Sequence, residues 1–280
     1  MMDFLSFLEN DYFLQIATMT CINIVIVLGL NLITGVTGQL SLGHAAFMSL
    51  GAYCSALLAL KLNMPFWVCL SAGTAFAGIM GALLGIPILR LRGDYLAIAT
   101  LGFGEIVRVV ILNTPFAGKA LGLYAIPQYT TFFVALLAVI LGIIFMYRFE
   151  NSRHGLALRS IREDEIAAEM MGVDIAKYKI LAFAVGSAFA GLGGSLYAHF
   201  LTYINPNDFG FMKSIEQLCM IVLGGMGSIT GAAAGAVVLS TVPELLRFAS
   251  EYRMVTYGIV LIVMMIFRPQ GLFGKIRVNV

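Results

Sequence analysis

The chain has 280 residues, of which 60% are hydrophobic and only 11% charged, with a net charge of +2. Soluble domains carry roughly 25% charged residues, so a water-soluble enzyme or binding module is excluded, and so small a charge gives no basis for a nucleic-acid partner. Residues 12–60, 62–89, 120–147, 180–207 and 217–243 contain no Asp, Glu, Lys or Arg, and each run exceeds the ~20 residues that span a bilayer.

These runs specify an all-α polytopic membrane protein, since a β-barrel would instead alternate in ~10-residue segments. The opening MMDFLSFLENDYF has no Lys or Arg before its first apolar run. That run is therefore expected to stay as a span rather than leave as a signal peptide. Apolar runs at 13–33 and 43–60 flank a Gly-rich break, TGVTGQLSLGHAA (34–46), which sets Gln39, Ser41 and His44 between two spans. A membrane histidine serves either as a hydrogen-bonding group or as a proton carrier. A relay needs several acids in series, and Glu105 is the one acid at clear membrane depth. Cys21, Cys54, Cys69 and Cys219 all lie in apolar runs without C-x-x-C spacing, the pattern of thiols acting as small hydrophobes.

Runs at 66–88, 95–112, 127–147 and 180–200 follow. Gly73, Ala77, Gly81 and Gly85 recur every four residues, as do Gly186, Ala190, Gly194 and Ala198. Such stripes let backbones approach closely, either inside the bundle or at a subunit interface. Asp94 is placed to cap the helix that starts at Tyr95. Glu105 lies 11 residues on, about 16 Å deeper, with Arg108 one turn further on the same face. A charged pair there must face protein or water; it either lines a translocation path or fastens two helices.

Basic residues mark the cytoplasmic side. Of 17, 11 fall in three clusters: Arg90 and Arg92; six from Arg148 to Lys179; and Arg268, Lys275 and Arg277. With all three inside, parity is met if 215–243 is a re-entrant hairpin broken at GGMGSITG (224–231) and 254–267 crosses inward, its ends anchored by Tyr252 and Phe273. Broken backbone at membrane depth is tolerated only under protein or beside an aqueous cavity. Seven spans and one re-entrant element result, with eight spans as the alternative. The N-terminus is then outside and the C-terminus cytoplasmic. Paired Gly-rich breaks, here 34–46 and 224–235, mark a substrate path, which brings in Gly225 and Gly227.

The stretch RSIREDEIAAEMMGVDIAKYK (159–179) gathers charge in a chain that has little. Ile161, Ala168 and Met171, with Ile166 and Met170 beside them, recur at helical spacing, and Arg162, Glu163, Asp164, Glu165 and Glu169 cover the remainder. Ala167 and Ala168 leave the helix flat, and Gly172 stops it. The expected helix, 161–171, is shaped to enter a groove.

EIAAEMMG resembles the EAA loop of ABC-importer permeases, the coupling helix that docks on an ATPase subunit. GLNLITGVTGQLSLGHAAFMSLGAY (29–53), LRLRGDYLAIATLGFGEIVR (89–108), SIREDEIAAEMMGVDIAKYK (160–179) and VLGGMGSITGAAAGA (222–236) together resemble the LivM-type permeases of branched-chain amino acid importers. The chain lacks the long N-terminal extension that some members carry. The resemblance implies one transmembrane permease domain over 1–280, with a coupling loop at 148–179, in a bacterial or archaeal cytoplasmic membrane. Implied partners are a LivH-like second permease, two cytoplasmic ATPases that bind ATP and Mg, an extracytoplasmic substrate-binding protein and the lipid bilayer. Arg162, Glu163, Asp164, Glu165, Ala167, Ala168 and Gly172 would couple to the ATPase. Gln39, Ser41, His44, Glu105, Arg108, Gly225 and Gly227 would line the path. The chain itself needs no cofactor or metal and is not an enzyme: it has no G-x-x-x-x-G-K-[ST], and GLFGK (271–275) has the wrong spacing. A same-family importer of urea, short amides or other amino acids would read almost identically. An ion-coupled transporter would rest on Glu105, Arg108 and His44. An intramembrane enzyme is disfavoured, because Glu105, His44 and His199 lie on distant spans.

Overall fold

The first helix, α1 (Asp11–Leu30), is apolar on every face and runs on into a π-helical segment, Asn31–Val36. A helix without a polar side belongs to a core or to a membrane, and α1 belongs to both: it lies inside the bundle along most of its length. The computed structural model describes residues 11–88, 91, 93–245, 258 and 271. Arg90, Arg92, Arg268, Lys275, Arg277, the anchors Tyr252 and Phe273, and the expected span 254–267 apart from Gly258 lie outside the described residues.

The chain continues through α2 (His44–Leu62), α3 (Phe66–Ile88), α4 (Asp94–Asn113), α5 (Phe132–Glu150), α6 (Arg153–Glu163), α7 (Glu165–Met170), α8 (Ile175–Leu201), α9 (Phe211–Gly224) and α10 (Ile229–Leu245). Among the described residues, six helices are long and apolar enough to cross a bilayer: α1 with its π segment, α2, α3, α4, α5 and α8. The fold is therefore all-α and polytopic. Trp67, Ile79, Leu83, Ile106, Phe133 and Leu141 are all more than half exposed on α3, α4 and α5, an arrangement that requires lipid or another protein rather than water.

α8 is the centre of the bundle and packs against α3, α2 and α1. All eight small residues of the two four-spaced stripes are buried. A Cβ on Gly81 would fall on Ser187, and one on Gly191 would fall on Ala77, so α3 and α8 meet nearly backbone to backbone. Gly186 and Gly194 meet α1 and α2 in the same way. The stripes are the internal seams of this bundle.

Two helices start part-way through the bundle. After the π segment the chain leaves helix and doubles back, so that His44 Nε2 donates to the carbonyl of Ile26 at 3.0 Å. Ile26 is ten residues before Val36, which places the start of α2 roughly 15 Å in from the end of the π segment. α9 begins beside it: Ser214 Oγ accepts the Ala45 N–H at 3.2 Å, and Gln217 Nε2 lies 3.4 Å from Met48 Sδ. The segment leading into α9 descends from the opposite end, where Leu123 and Ile204 form a β-bridge, until Phe209 packs on Tyr53 and Tyr197. α9 and α10 then form a hairpin turning at 225–228, with Gly271 against Gly224 and Gly225. Its tip lies beside Arg162, at the end of the bundle away from Ile204, so the expected re-entrant element runs through to that end instead of turning at membrane depth. α10 returns along α1, where Asn23 donates to Ser240 at 2.9 Å.

One expected local feature is absent. Asp94 is the first residue of α4 rather than its cap; Gly93 takes that place at φ 57°, with no side-chain capping bond. Only a backbone without Cβ enters that conformation cheaply, and the cap position shifts back by one.

Candidate coupling and translocation sites

At one end of the bundle Ser152 caps α6 by accepting the Gly155 N–H, and Arg159 bridges to the buried Glu150 at 3.0 Å. The expected single helix 161–171 is two helices. Asp164 is extended (φ −158°, ψ 115°), and its carboxylate accepts the N–H groups of Ile166 at 2.8 Å and Ala167 at 3.0 Å. A short side chain that competes for backbone donors favours such a break, and here it ends α6 and starts α7. Gly172, at φ 84°, stops α7 as expected.

The break rearranges the expected coupling residues. Ile161 and Ala168 are buried, whereas Ile166, Met170 and Met171 are 64%, 80% and 85% exposed. Glu163, Asp164, Ala167 and Gly172 share that outer surface. Glu165 turns inward to the buried Lys179 at 2.5 Å. Arg162 also turns inward: Nη1 donates to the carbonyl of Gly35, and the side chain lies against Gly38 and Gly227. Ala168 and Arg162 therefore do not belong to an outward docking face. Helical spacing counted across Asp164 joins residues that the break separates.

Deeper in, Glu105 and Arg108 form the expected ion pair, with Nη2 at 2.8 Å and Nε at 2.9 Å from the same carboxylate oxygen. Arg108 Nη1 also donates to Asn207 Oδ1 at 3.0 Å. Their side chains are 40% and 32% exposed. A narrow cleft beside Glu105 is lined by Leu42 and Ala46 from the first break, Gly104 of α4, and Gly210 and Ser214 where α9 starts. Leu42 N–H is held by Thr100 Oγ1 at 3.0 Å, which fixes the break against α4.

Gln39, Ser41 and His44 are buried at the same break. A carbonyl can only accept, so His44 carries its proton on Nε2 and leaves Nδ1 as a bare acceptor. His44 Nδ1, Ser41 Oγ, Gln39 Oε1 and Gln217 Oε1 have no hydrogen-bond partner among the described residues. Polar atoms buried in this way are held elsewhere by ordered water or by a transient ligand. Gly225 and Gly227 lie apart from this group, at the α6–α7 end, where Gly227 N–H donates to Asn31 Oδ1 at 2.9 Å. The seven expected path residues thus occupy three places: the ion pair, the buried break and the hairpin turn. His199 is saturated by Ser55 at 3.0 Å and Pro127 at 2.9 Å, far from both other groups.

Sequence reasoning missed Asn31, Thr100, Asn207, Ser214, Gln217 and Lys179. Ser214 and Gln217 carried a usable signal, since their spacing of three sets both on one side of α9. Asn207 carried none, because its partner is ninety-nine residues away.

A bundle that keeps an ion pair, two interrupted helices and unpartnered polar atoms at membrane depth is built as a multi-pass membrane permease, not as an anchor. The family model described as "Branched-chain amino acid transport system / permease component" matches residues 12–267, and the chain belongs to that family. It is 39% identical, over 94% of its length and 70% of the relative's, to the "High-affinity branched-chain amino acid transport system permease protein LivM" of Salmonella typhimurium. The Escherichia coli LivM protein matches at the same 39% identity and coverage. Similarity extends to LivH of Salmonella typhimurium, 27% identical over 91% of this chain and 92% of the relative. No solved structure matches the chain.

Proposed function

We propose that this chain is the LivM-type permease subunit of an ATP-driven importer for branched-chain amino acids. The observation that carries the coupling role is the surface of α7: Ile166, Met170 and Met171 stand exposed on a short, internally braced helix bordered by Glu163, Asp164 and Glu169. Such an apolar tip with an acidic border suits a groove in a cytoplasmic ATPase subunit. Two such subunits would bind ATP and Mg and hydrolyse the nucleotide. An extracytoplasmic binding protein would deliver substrate to the opposite end. The basic residues from Arg148 to Lys179 support a cytoplasmic α6–α7 end, with the N-terminus outside and the C-terminus inside.

The names LivM and LivH imply a permease pair, and this chain is similar to both. A LivH-like partner of related fold would stand against α4. Among the described residues that helix packs mainly on α2, α9 and two short turns, with Leu96 near its start beside Ile33 and Phe183. Its Glu105 and Arg108 are too exposed for an ion pair left in lipid. Covered by a sister permease, the pair and the cleft beside it would border the path between the two subunits. When the ATPases close, α7 would move and the interrupted helices would switch the side to which that path opens.

The test is purification of a tagged copy from native membranes in mild detergent, with mass spectrometry of what accompanies it. Two ATPases and a second permease support the importer. A lone homo-oligomer that transports in vesicles without ATP refutes it and favours ion coupling through Glu105.

A further inference from the structure

We propose that Arg162 is the residue that passes movement of α7 into the transmembrane part, by clamping both interrupted elements together at one point. The proposal rests on the importer reading. Arg162 closes the last turn of α6, two residues before the extended Asp164 and three before α7. Its guanidinium Nη1 donates to the carbonyl of Gly35, near the end of the π segment. Carbonyls at a helix C-terminus lack intrahelical partners and carry partial negative charge, so a cation is the natural occupant. π turns are also frequent at functional sites.

The same side chain fills space against two glycines from opposite parts of the sequence. Gly38, at φ 77°, opens the extended stretch that leads to His44, and a Cβ there would sit about against Arg162 Cγ, at 3.1 Å. Gly227, at φ 85°, forms the tip of the α9–α10 hairpin, and a Cβ there would meet Arg162 Nη1 at 2.6 Å. Asn31 ties the hairpin tip to the π segment from the other side. One side chain from the coupling segment therefore touches the end of the π segment, the break before α2 and the turn between α9 and α10. The break leads directly to the start of α2, and the turn holds the far end of α9, whose start borders the cleft at Glu105 together with that of α2. Seated, Arg162 closes this end; drawn out with α7, it frees the break and the tip together. Because Arg162 points inward, its role is separate from docking.

The experiment uses the whole importer, permease pair with ATPases, reconstituted in liposomes with its binding protein. Uptake of leucine per ATP hydrolysed is measured for the wild type, R162A and R162K. R162A should lower this ratio by about tenfold or more, the change expected for losing a charge-assisted hydrogen bond that differs between two states. R162K keeps the charge but not the planar fork, and should fall between. In a cysteine-free background, S41C should change its reactivity toward a thiol reagent when ATP and vanadate are added, and R162A should abolish that change. A ratio in R162A or R162K equal to the wild type's, or uptake and hydrolysis falling in step, overturns the proposal. So does S41C reactivity that still follows nucleotide in R162A. Should R162A fail to assemble, the R162K ratio decides. A wild-type complex with no ATP-driven uptake overturns the importer reading itself, an outcome distinct from all of these.

Discussion

Removing the Glu165 carboxylate isolates the energy that holds α7 in place. Glu165 Oε1 lies 2.5 Å from Lys179 Nζ, whose side chain is only 4% exposed, while that of Glu165 is 27% exposed. Truncating one partner of a fully buried pair costs about 3–5 kcal/mol, because the other charge is left without compensation. Water reaches the Glu165 side and screens the pair, so the cost falls below that range, to about 2–3 kcal/mol. α7 has six residues, far below the ~12–15 at which an isolated helix holds in water. Its remaining supports are the Asp164 cap, worth about 1 kcal/mol, and the burial of Ala168. Undocking therefore means unwinding. In Glu165→Ala the undocked population should rise about 30- to 150-fold, at tenfold per 1.4 kcal/mol.

Hydrogen exchange reads this directly. The amides of Ala168, Met171, Gly172 and Val173 close the turns of α7 through bonds of 2.9–3.2 Å, and they should exchange faster by that factor in nanodiscs. Peptides from α8 beyond Lys179 should keep their rates. Adding Lys179→Met should restore most of the protection, since it removes the stranded charge and leaves an apolar side chain of similar length. Unchanged exchange in Glu165→Ala would refute the reasoning, as would a double variant no better than the single one.

Five further substitutions separate structural from functional roles. Ala168→Leu should destabilise the permease by about 1–3 kcal/mol through overpacking, seen as a lower melting temperature of the purified chain. Ala167→Arg, on the exposed side, should leave that temperature unchanged and reduce co-purifying ATPase. Gly81→Ala should lower folded yield, because the new methyl meets Ser187 and the Phe183 carbonyl, whereas Gly102→Ala meets nothing within 4 Å and should gain about 0.5–1 kcal/mol of helix preference. Glu105→Gln should reduce uptake at normal assembly if the pair borders the path; reduced assembly with normal turnover would identify it as a fastener.

Much of the fold was legible because membrane spans are written in composition. The charge-free runs hold most of the length of every long helix except α4, which carries Asp94, Glu105 and Arg108, and the four-spaced small residues mark the seams along α8. The hairpin turn was legible from GGMG, since positive φ at Gly225 and Gly227 needs residues without Cβ. Three things were not. Asp164 splits the coupling segment by a bond between side chain and backbone, which residue periodicity does not register, so the inward direction of Ala168 and Arg162 does not follow from spacing. The capping position at Gly93 depends on a backbone conformation that Asp94 alone does not announce. The meeting of Asn31 and Gly35 with Arg162 and Gly227 joins three distant parts of the chain, and pairwise spacing carries no trace of it.

The division of the bundle into rigid and yielding parts follows from where small residues and broken backbone fall. α3 and α8 approach so closely that an added methyl at Gly81 or Gly191 finds no room. Interfaces of that density do not deform continuously, so α1, α2, α3 and α8 move as one body or not at all. The elements with freedom are the stretch before α2, the α9–α10 turn and the sparsely held α4. All three border either the Glu105 cleft or Arg162. The bare acceptors on Gln39, Ser41, His44 and Gln217 lie in or beside them, where a change of conformation is the ready way to give each a partner. A permease needs a site that is satisfied only while it is occupied or open, and these four unpaired polar atoms gather where the backbone is interrupted.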